Sequence, residues 1–319
     1  MDLAEQREQF EFTKCVYESS KLKFHGVDGF DVYNTSIPFQ WEGKQYLFGR
    51  VERRNEWARS WVRLFENTGE DEWTAVSNSP EYQLEDPYVS MIHGFLVLGG
   101  THVRYTQGRI DTFYDYFYRG KEINNLYYFT TGPENMKDIR LVEMKDKKIG
   151  VFSRPRGEDI LEKYGSESLI GFTAIDSLDD LTPDVVQKAE IIDGLFDRNE
   201  WGGCNQVYCL SSGLLGVIGH KSLIGTDGSG RPVQTYMNIS FVFDPAEQKA
   251  MDLKIIGTRD CYPAGPSKRP SLADCAFTSG IVLKGGGKAD LYSGIGDCEE
   301  GRVTIDYPFQ GFGEIVSRR

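Results

Sequence analysis

The sequence predicts an all-β chain folded as a five-bladed β-propeller around a central funnel, and three observations carry that expectation. Hydrophobic residues make up 39% and aromatics 13%, with 35 glycines against 12 prolines, a mixture suited to short strands and tight turns. Five β-like runs recur with starts 51, 54, 65 and 74 residues apart, close to the size of a propeller blade. Helical periodicity is weak outside Asp2–Lys14, Asp159–Tyr164 and Pro183–Ala189.

The five runs are Gly43–Arg50, Gly94–Thr101, Lys148–Arg154, Gly213–His220 and Gly287–Gly294. Each follows a turn or polar break. A second strand-like stretch comes after each, at Ser60–Glu66, Asn125–Thr131, Leu169–Ile175, Thr235–Phe243 and Arg302–Tyr307. Residues 1–25 read as a helix and extension ahead of the first unit. Gly225–Gly230 and Pro263–Pro270 read as loops, and no linker rich in Pro, Gly or Ser divides the chain, so one domain over 1–319 is expected. The same spacing, taken alone, also suits a β-sandwich or an irregular all-β protein.

A net charge of −12 argues against a broad nucleic-acid or anionic-membrane surface, because clustered Lys and Arg hold such partners. The N-terminus lacks the basic start and apolar run of a signal peptide, and no stretch of about 18 apolar residues occurs, so the cytoplasm is the expected location. The six cysteines form no CxxC pair and read as free thiols. The sequons at Asn34 and Asn238 fall in segments expected to be strands or buried turns.

In a propeller, polar residues at equivalent ends of several blades converge on one pocket. The run ends here are polar: Asn34-Thr35-Ser36, Arg50 and Glu52, Glu85-Asp86, Arg154 and Arg156, His220-Lys221, and Asp274 with Asp297 around the fifth. Asp86, held by the following Pro87, is the candidate general acid. Arg154, Arg156, His220 and Lys221 are candidates to surround a phosphate, or else to pair with the many acids. Of the tryptophans at 41, 57, 61, 73 and 201, Trp201 beside Gly202-Gly203 reads as a rim residue for a sugar. No GxSxG elbow, Walker loop, dinucleotide fingerprint or His pair at metal-ligand spacing occurs, and no cofactor or metal is expected.

These motifs resemble the five-bladed mannoside phosphorylases of glycoside hydrolase family 130. The resemblance rests on Asn34-Thr35-Ser36, Arg50, Leu84-Glu85-Asp86-Pro87, Ser153-Arg154-Pro155, Ile218-Gly219-His220, Tyr236–Pro245, Asp274–Gly280 and Leu291–Asp297, from about residue 30 to 307. The chain is more similar still to the dual-activity mannosyltransferase/phosphorylases of mannogen-storing protozoa. That resemblance implies reversible chemistry on β-1,2-mannooligosaccharides, with phosphate, mannose 1-phosphate and GDP-mannose as the other substrates. It implies Asp86 as acid/base and Asn34, Ser36, Arg50, Glu85, Asp274 and Asp297 around the sugar. Arg154, Arg156, His220, Lys221 and Tyr236 would hold phosphate. Two positions depart from the family pattern: Tyr88 stands where the second-blade motif usually has Arg, and Gly219-His220-Lys221 where the fourth blade usually reads Tyr-His-Gly.

Phosphate is already an anionic nucleophile, so phosphorolysis needs an acid and cations but no base. A hydrolase needs a second carboxylate to activate water. The competing readings are therefore an inverting β-mannosidase using Glu167 or Glu200, and a propeller that binds sugar without turnover.

Overall fold

The computed structural model describes residues 3–226 and 229–316. Its strands form five antiparallel-dominated sheets in chain order, the blades of a five-bladed β-propeller. The first blade holds Asp31–Tyr33, Phe39–Trp41, Lys44–Glu52, Trp61–Gly69 and Glu72–Ala75, and the second Glu85–Ile92, Phe95–Thr106, Arg109–Gly120 and Tyr127–Thr131. The third is Arg140–Glu143, Ile149–Ser153, Gly171–Ile175 and Glu190–Ile191. The fourth is Trp201–Cys209, Leu215–Thr226, Pro232–Asp244 and Lys249–Gly257, and the fifth begins with Ala276–Gly285, Lys288–Ile295 and Glu299–Asp306.

The stretch read as a leading extension does more than lead. Its helix spans Leu3–Thr13, Asp2 lying outside the described residues. Glu18–Lys21 then pairs antiparallel with Glu299–Asp306 as the fourth strand of the last blade, with Glu18 opposite Thr304. Lys23–His25 pairs parallel with Glu72–Ala75 of the first blade. N-terminal strands thus complete both the last and the first sheet, and the fifth blade presents no open edge at Glu299–Asp306.

The repeated runs prove to be the second strand of each blade, not the innermost. Lys44–Glu52, Phe95–Thr106, Ile149–Ser153, Leu215–Thr226 and Lys288–Ile295 each pair on both sides. These strands, paired on both sides within a blade, are largely buried along the stretches that the runs mark. In the second blade the strand-like stretch at Asn125–Thr131 is the fourth strand; Arg109–Gly120 comes between.

Between blades the apolar faces interlock. Phe152, Phe172 and Phe243 meet across the third and fourth blades with ring centres 4.7–5.6 Å apart. The short helices fall at Glu158–Tyr164 and Pro183–Gln187, where Thr182 caps the N-terminus by accepting from the Val185 N–H. Of the Gly225–Gly230 stretch, Asp227 and Gly228 lie outside the described residues. All six cysteines are free thiols, Cys15 exposed and the others buried. Asn34 and Asn238 are both buried. Among the described residues no helix is long and apolar enough to cross a membrane.

Candidate active site

A cavity of about 350 Å³ opens where the blades converge. Its wall is built from backbone irregularities at the funnel ends of the blades. Non-glycine residues take positive φ at Asn34 (46°), Asp86 (47°), Asp138 (60°) and Asp297 (55°), a region that short Asn and Asp side chains tolerate best. At Asp86 the cause is visible. Glu85 pairs with Thr101 and Tyr88 with Gly99, so Asp86 and Pro87 bulge out of the ladder. Pro87 has no N–H to give the ladder, and the bulge re-aims Asp86 toward the cavity. The partner strand must carry glycine here, since a Cβ on Gly99 would lie 2.1 Å from the Tyr88 ring and one on Gly100 2.8 Å from the Glu85 carbonyl.

One side of the cavity is acidic. Arg50, itself buried, donates to Asp86 Oδ1 at 2.9 Å, Glu85 Oε1 at 2.9 Å and Glu52 Oε2 at 3.2 Å. Asn34 Nδ2 donates to the same Asp86 Oδ1 at 2.8 Å. Both donors use one oxygen, and among the described residues Asp86 Oδ2, on a residue that lines the cavity, takes no hydrogen bond. Asn34 fits because its neighbour is Gly294, where a Cβ would sit 1.8 Å from the Asn34 amide oxygen. Lys268 pairs with Glu52 beside Tyr33. Four carboxyl groups, counting Asp297, thus share two cations, and the cluster cannot hold all four ionised at low cost. Burial pushes Glu85 up to about 7 against the pull of Arg50. Burial likewise raises Asp297, Arg50 opposing and Asp86 adding to the rise.

The other side is cationic. Arg154 lies flat across Gly202-Gly203, its Nε donating to the Gly202 carbonyl at 2.8 Å and to Ser168 Oγ at 3.0 Å, with Nη1 on Asp138. A Cβ on Gly203 would come within 3.0 Å of it. Arg156 and Lys137 line the same wall, and among the described residues neither makes an ion pair. Arg156 lies over the Phe113 ring, and burial together with neighbouring Arg154 pulls it below the usual arginine range. Two unpaired cations beside a third make a site for an anion. Among the described residues no group of three or more His, Cys, Asp or Glu side chains is placed to hold a metal ion.

The structure brings Asn34, Arg50, Glu85, Asp86, Arg154, Arg156, Tyr236 and Asp297 to this one cavity. Four of the sequence candidates stand elsewhere. Ser36 Oγ is used in a local turn, donating to the Ile37 carbonyl and accepting from the Phe48 N–H. Asp274 takes two hydrogen bonds from Arg7 of the N-terminal helix, at 2.6 and 2.9 Å, and one from Thr235 at 2.7 Å. His220 lies fully buried behind the wall, its Nδ1 2.7 Å from Asn205 Oδ1 and its ring against Tyr236 and Phe277. Burial and Arg154 push its pKa well down, which favours the neutral ring. Lys221 is buried in an ion pair with Glu200 at 2.8 Å. That pair also occupies Glu200, whereas Glu167 does reach the cavity. Trp201 is buried as a wall residue against Tyr236, and Trp57 takes the mouth instead, 39% exposed. Lys137 and Asp138 escaped the sequence reading. The signal was present, since Lys137-Asp138 precedes the inner strand of the third blade as Glu85-Asp86 opens that of the second.

A mannose phosphorylase from Leishmania mexicana, solved with a phosphate ion, is 51% identical, with 99% of this chain and 96% of that chain covered and a TM-score of 0.94. The chain belongs to the mannosyltransferase/phosphorylase family. A second member of the family, a GDP-Man-dependent mannosyltransferase from Leishmania mexicana, is 46% identical over 100% of this chain and 99% of that one, with a TM-score of 0.93. The family is one of glycosyl-transferring enzymes, and this chain is such an enzyme. Residues 8–311 also match the family described as a protein of unknown function, DUF1861. A β-1,2-mannobiose phosphorylase from Listeria innocua, 15% identical over 88% of this chain and 91% of that one, shares the fold with a TM-score of 0.59. No curated protein matches the chain.

Proposed function

We propose that this protein is a reversible β-1,2-mannoside phosphorylase and mannosyltransferase that moves mannose between mannose 1-phosphate or GDP-mannose and β-1,2-mannan oligosaccharides. The observation that supports it most directly is the division of one cavity into a carboxyl side and a cation side, where among the described residues Asp86 Oδ2 takes no hydrogen bond and Arg156 and Lys137 make no ion pair. A sugar bridging the two sides would meet an acid and an anionic nucleophile at once.

In phosphorolysis a phosphate oxygen, held by Arg154, Arg156 and Lys137 with Tyr236 nearby, attacks C1 of the terminal mannosyl unit. The C1–O bond to the rest of the chain breaks, and Asp86 supplies the proton that the departing oxygen takes. In synthesis the same carboxylate accepts the proton of the attacking sugar hydroxyl. A diphosphate leaving group needs no proton, so one pocket serves both donors. Arg50 and Asn34 hold Asp86 in place by its other oxygen. His220, neutral and buried, acts as a prop beneath Tyr236 in this scheme, and Asp274 as an anchor for the N-terminal helix. The acting form is expected in the cytoplasm, as a single catalytic unit of residues 1–319.

The deciding experiment incubates the purified protein with β-1,2-mannobiose or mannotriose, with and without inorganic phosphate, and follows mannose 1-phosphate against free mannose. Phosphate-dependent mannose 1-phosphate is expected. Free mannose regardless of phosphate would make Glu167 the water-activating base of a hydrolase. No product, together with sugar binding, would leave a binding propeller.

A further inference from the structure

The mouth of the cavity carries a tryptophan to which the chemistry above gives no task. Trp57 lines the same cavity as Arg50 and Asp86, yet it is 39% exposed where Asp86 is 5% exposed. It belongs to the connection between Lys44–Glu52 and Trp61–Gly69, and this connection is pinned from several directions. From the second blade, the Tyr105 hydroxyl lies 2.6 Å from the carbonyl oxygen of Trp57 and 3.0 Å from that of Ala58. From the acidic cluster, Glu52 Oε1 accepts the Arg59 N–H at 2.7 Å. From the fifth-blade side, the Arg269 guanidinium stacks 3.9 Å from the Trp57 ring centre.

Between these anchors Ala58 is held at φ 55°, a conformation uncommon for a residue with a Cβ. Trp73 and Trp201 are buried and Trp61 is exposed but is not among the residues lining the cavity, whereas Trp57 is both exposed and part of the cavity wall. What the strain and the anchors achieve is a large apolar ring standing half in water at the mouth of a sugar-sized cavity, one face backed by a guanidinium. The C–H face of a pyranose is itself apolar, and an indole ring offers a rigid, amphipathic surface of matching size.

We propose that Trp57 is the platform for the second sugar of the acceptor chain, the unit that lies beyond the mannose next to the reacting bond as the chain leaves the cavity. The ring face not covered by Arg269 stacks on that pyranose, and the protein thereby prefers oligosaccharides over free mannose. The proposal rests on the mannoside reading above and assigns its outer subsite.

The test compares wild type, Trp57→Ala and Trp57→Phe in the synthetic direction, with mannose 1-phosphate or GDP-mannose as donor and mannose, β-1,2-mannobiose or β-1,2-mannotriose as acceptor. In Trp57→Ala the KM for the two longer acceptors is expected to rise about tenfold, the loss of about 1.4 kcal/mol of binding. The KM for mannose and for mannose 1-phosphate should stay within about twofold, a change below about 0.5 kcal/mol, and Trp57→Phe should keep most of the chain-length preference. Unchanged KM for every acceptor overturns the proposal. So does a rise confined to GDP-mannose, which would put a nucleobase on the ring, or an equal loss of kcat with all substrates, which would make Trp57 a support for the reacting groups. Isothermal titration of β-1,2-mannotriose, which needs no turnover, separates this proposal from the function it rests on. Weaker binding in Trp57→Ala supports the platform even for a wild type that forms no product, and equal binding rejects it whatever the catalytic result.

Discussion

The guanidinium carbon of Arg140 lies 4.6 Å from the centre of the Tyr88 ring. Tyr88 is the position at which the mannoside phosphorylases that the sequence resembles are expected to carry an arginine. The same Arg140 donates to the Asn205 carbonyl at 2.8 Å and reaches Asp138 at 3.3 Å, and Asp138 pairs in turn with Arg154 on the cavity wall. Tyr88 therefore backs a buried chain of charges that ends at the cation side of the site.

Removing the ring should loosen that chain. Tyr88→Leu loses a desolvated cation–π contact and leaves a void against Gly99, and a cost of about 2–4 kcal/mol is expected. Tyr88→Phe keeps the ring and should cost less than about 1.5 kcal/mol. Urea unfolding of the two variants measures the difference, and equal losses would remove the ring from the account.

Asp86→Asn keeps an oxygen for Arg50 and Asn34 but loses the transferable proton. Activity should fall by about 10²–10⁴ in kcat while the melting temperature barely moves. A variant that melts much earlier would mean that Asp86 is chiefly part of the Arg50 cluster.

Arg156 and His220 are both candidates for phosphate; Arg156 lines the cavity and His220 is buried behind its wall. Arg156→Ala should raise the KM for phosphate by about 10–100-fold, the worth of one or two charge-assisted hydrogen bonds, with little change in stability. His220→Gln should lower stability while the KM for phosphate moves by less than about threefold. Phosphate kinetics and thermal melts on both variants check this, and the reverse pattern would bring His220 to the anion.

Glu300 is buried beneath Asn34-Thr35, accepting from Ser279 Oγ at 2.8 Å and the Thr35 N–H at 3.1 Å. Burial outweighs these hydrogen bonds and pushes its pKa from 4.5 up to about 8. The folded chain therefore keeps a proton that the unfolded chain has released. The associated stability is complete below about pH 4.5 and disappears as pH rises through about 8. The stability of the wild type relative to Glu300→Gln, from denaturant midpoints at about pH 5 and about pH 9, should fall across that interval. A difference that does not vary with pH would show that Glu300 is ionised throughout. Glu85, pushed up to about 7, acts in the same direction and should add a limb near neutrality to the kcat/KM profile, absent in Glu85→Gln.

Much of this site was readable from local chemistry. Asp86-Pro87 announces a rigid carboxyl because proline cannot join the ladder, and Arg154-Pro155-Arg156 announces cations at the end of a strand. His220, Lys221, Ser36 and Asp274 were equally polar and equally placed at run ends, yet they are spent on Asn205, Glu200, a local turn and Arg7. Sequence shows that a side chain can bond but not which partner reaches it first. Trp57 and Trp201 exchanged roles for a related reason, since exposure depends on what the neighbouring blade covers.

By itself the sequence determined the strand-rich character, the number of units and the residue types at the funnel, because alternation, apolar runs and turn residues act over a few positions. It also carried the family resemblance, through Glu85-Asp86 and Gly296-Asp297. The tertiary structure decided the rest: that the strongest repeats are second strands, that Glu18–Lys21 completes the last sheet from the other end of the chain, and that Arg50 gathers three carboxylates from two blades. These depend on contacts between residues far apart in the chain, where packing and desolvation of one segment by another set the partner, the charge and the exposure.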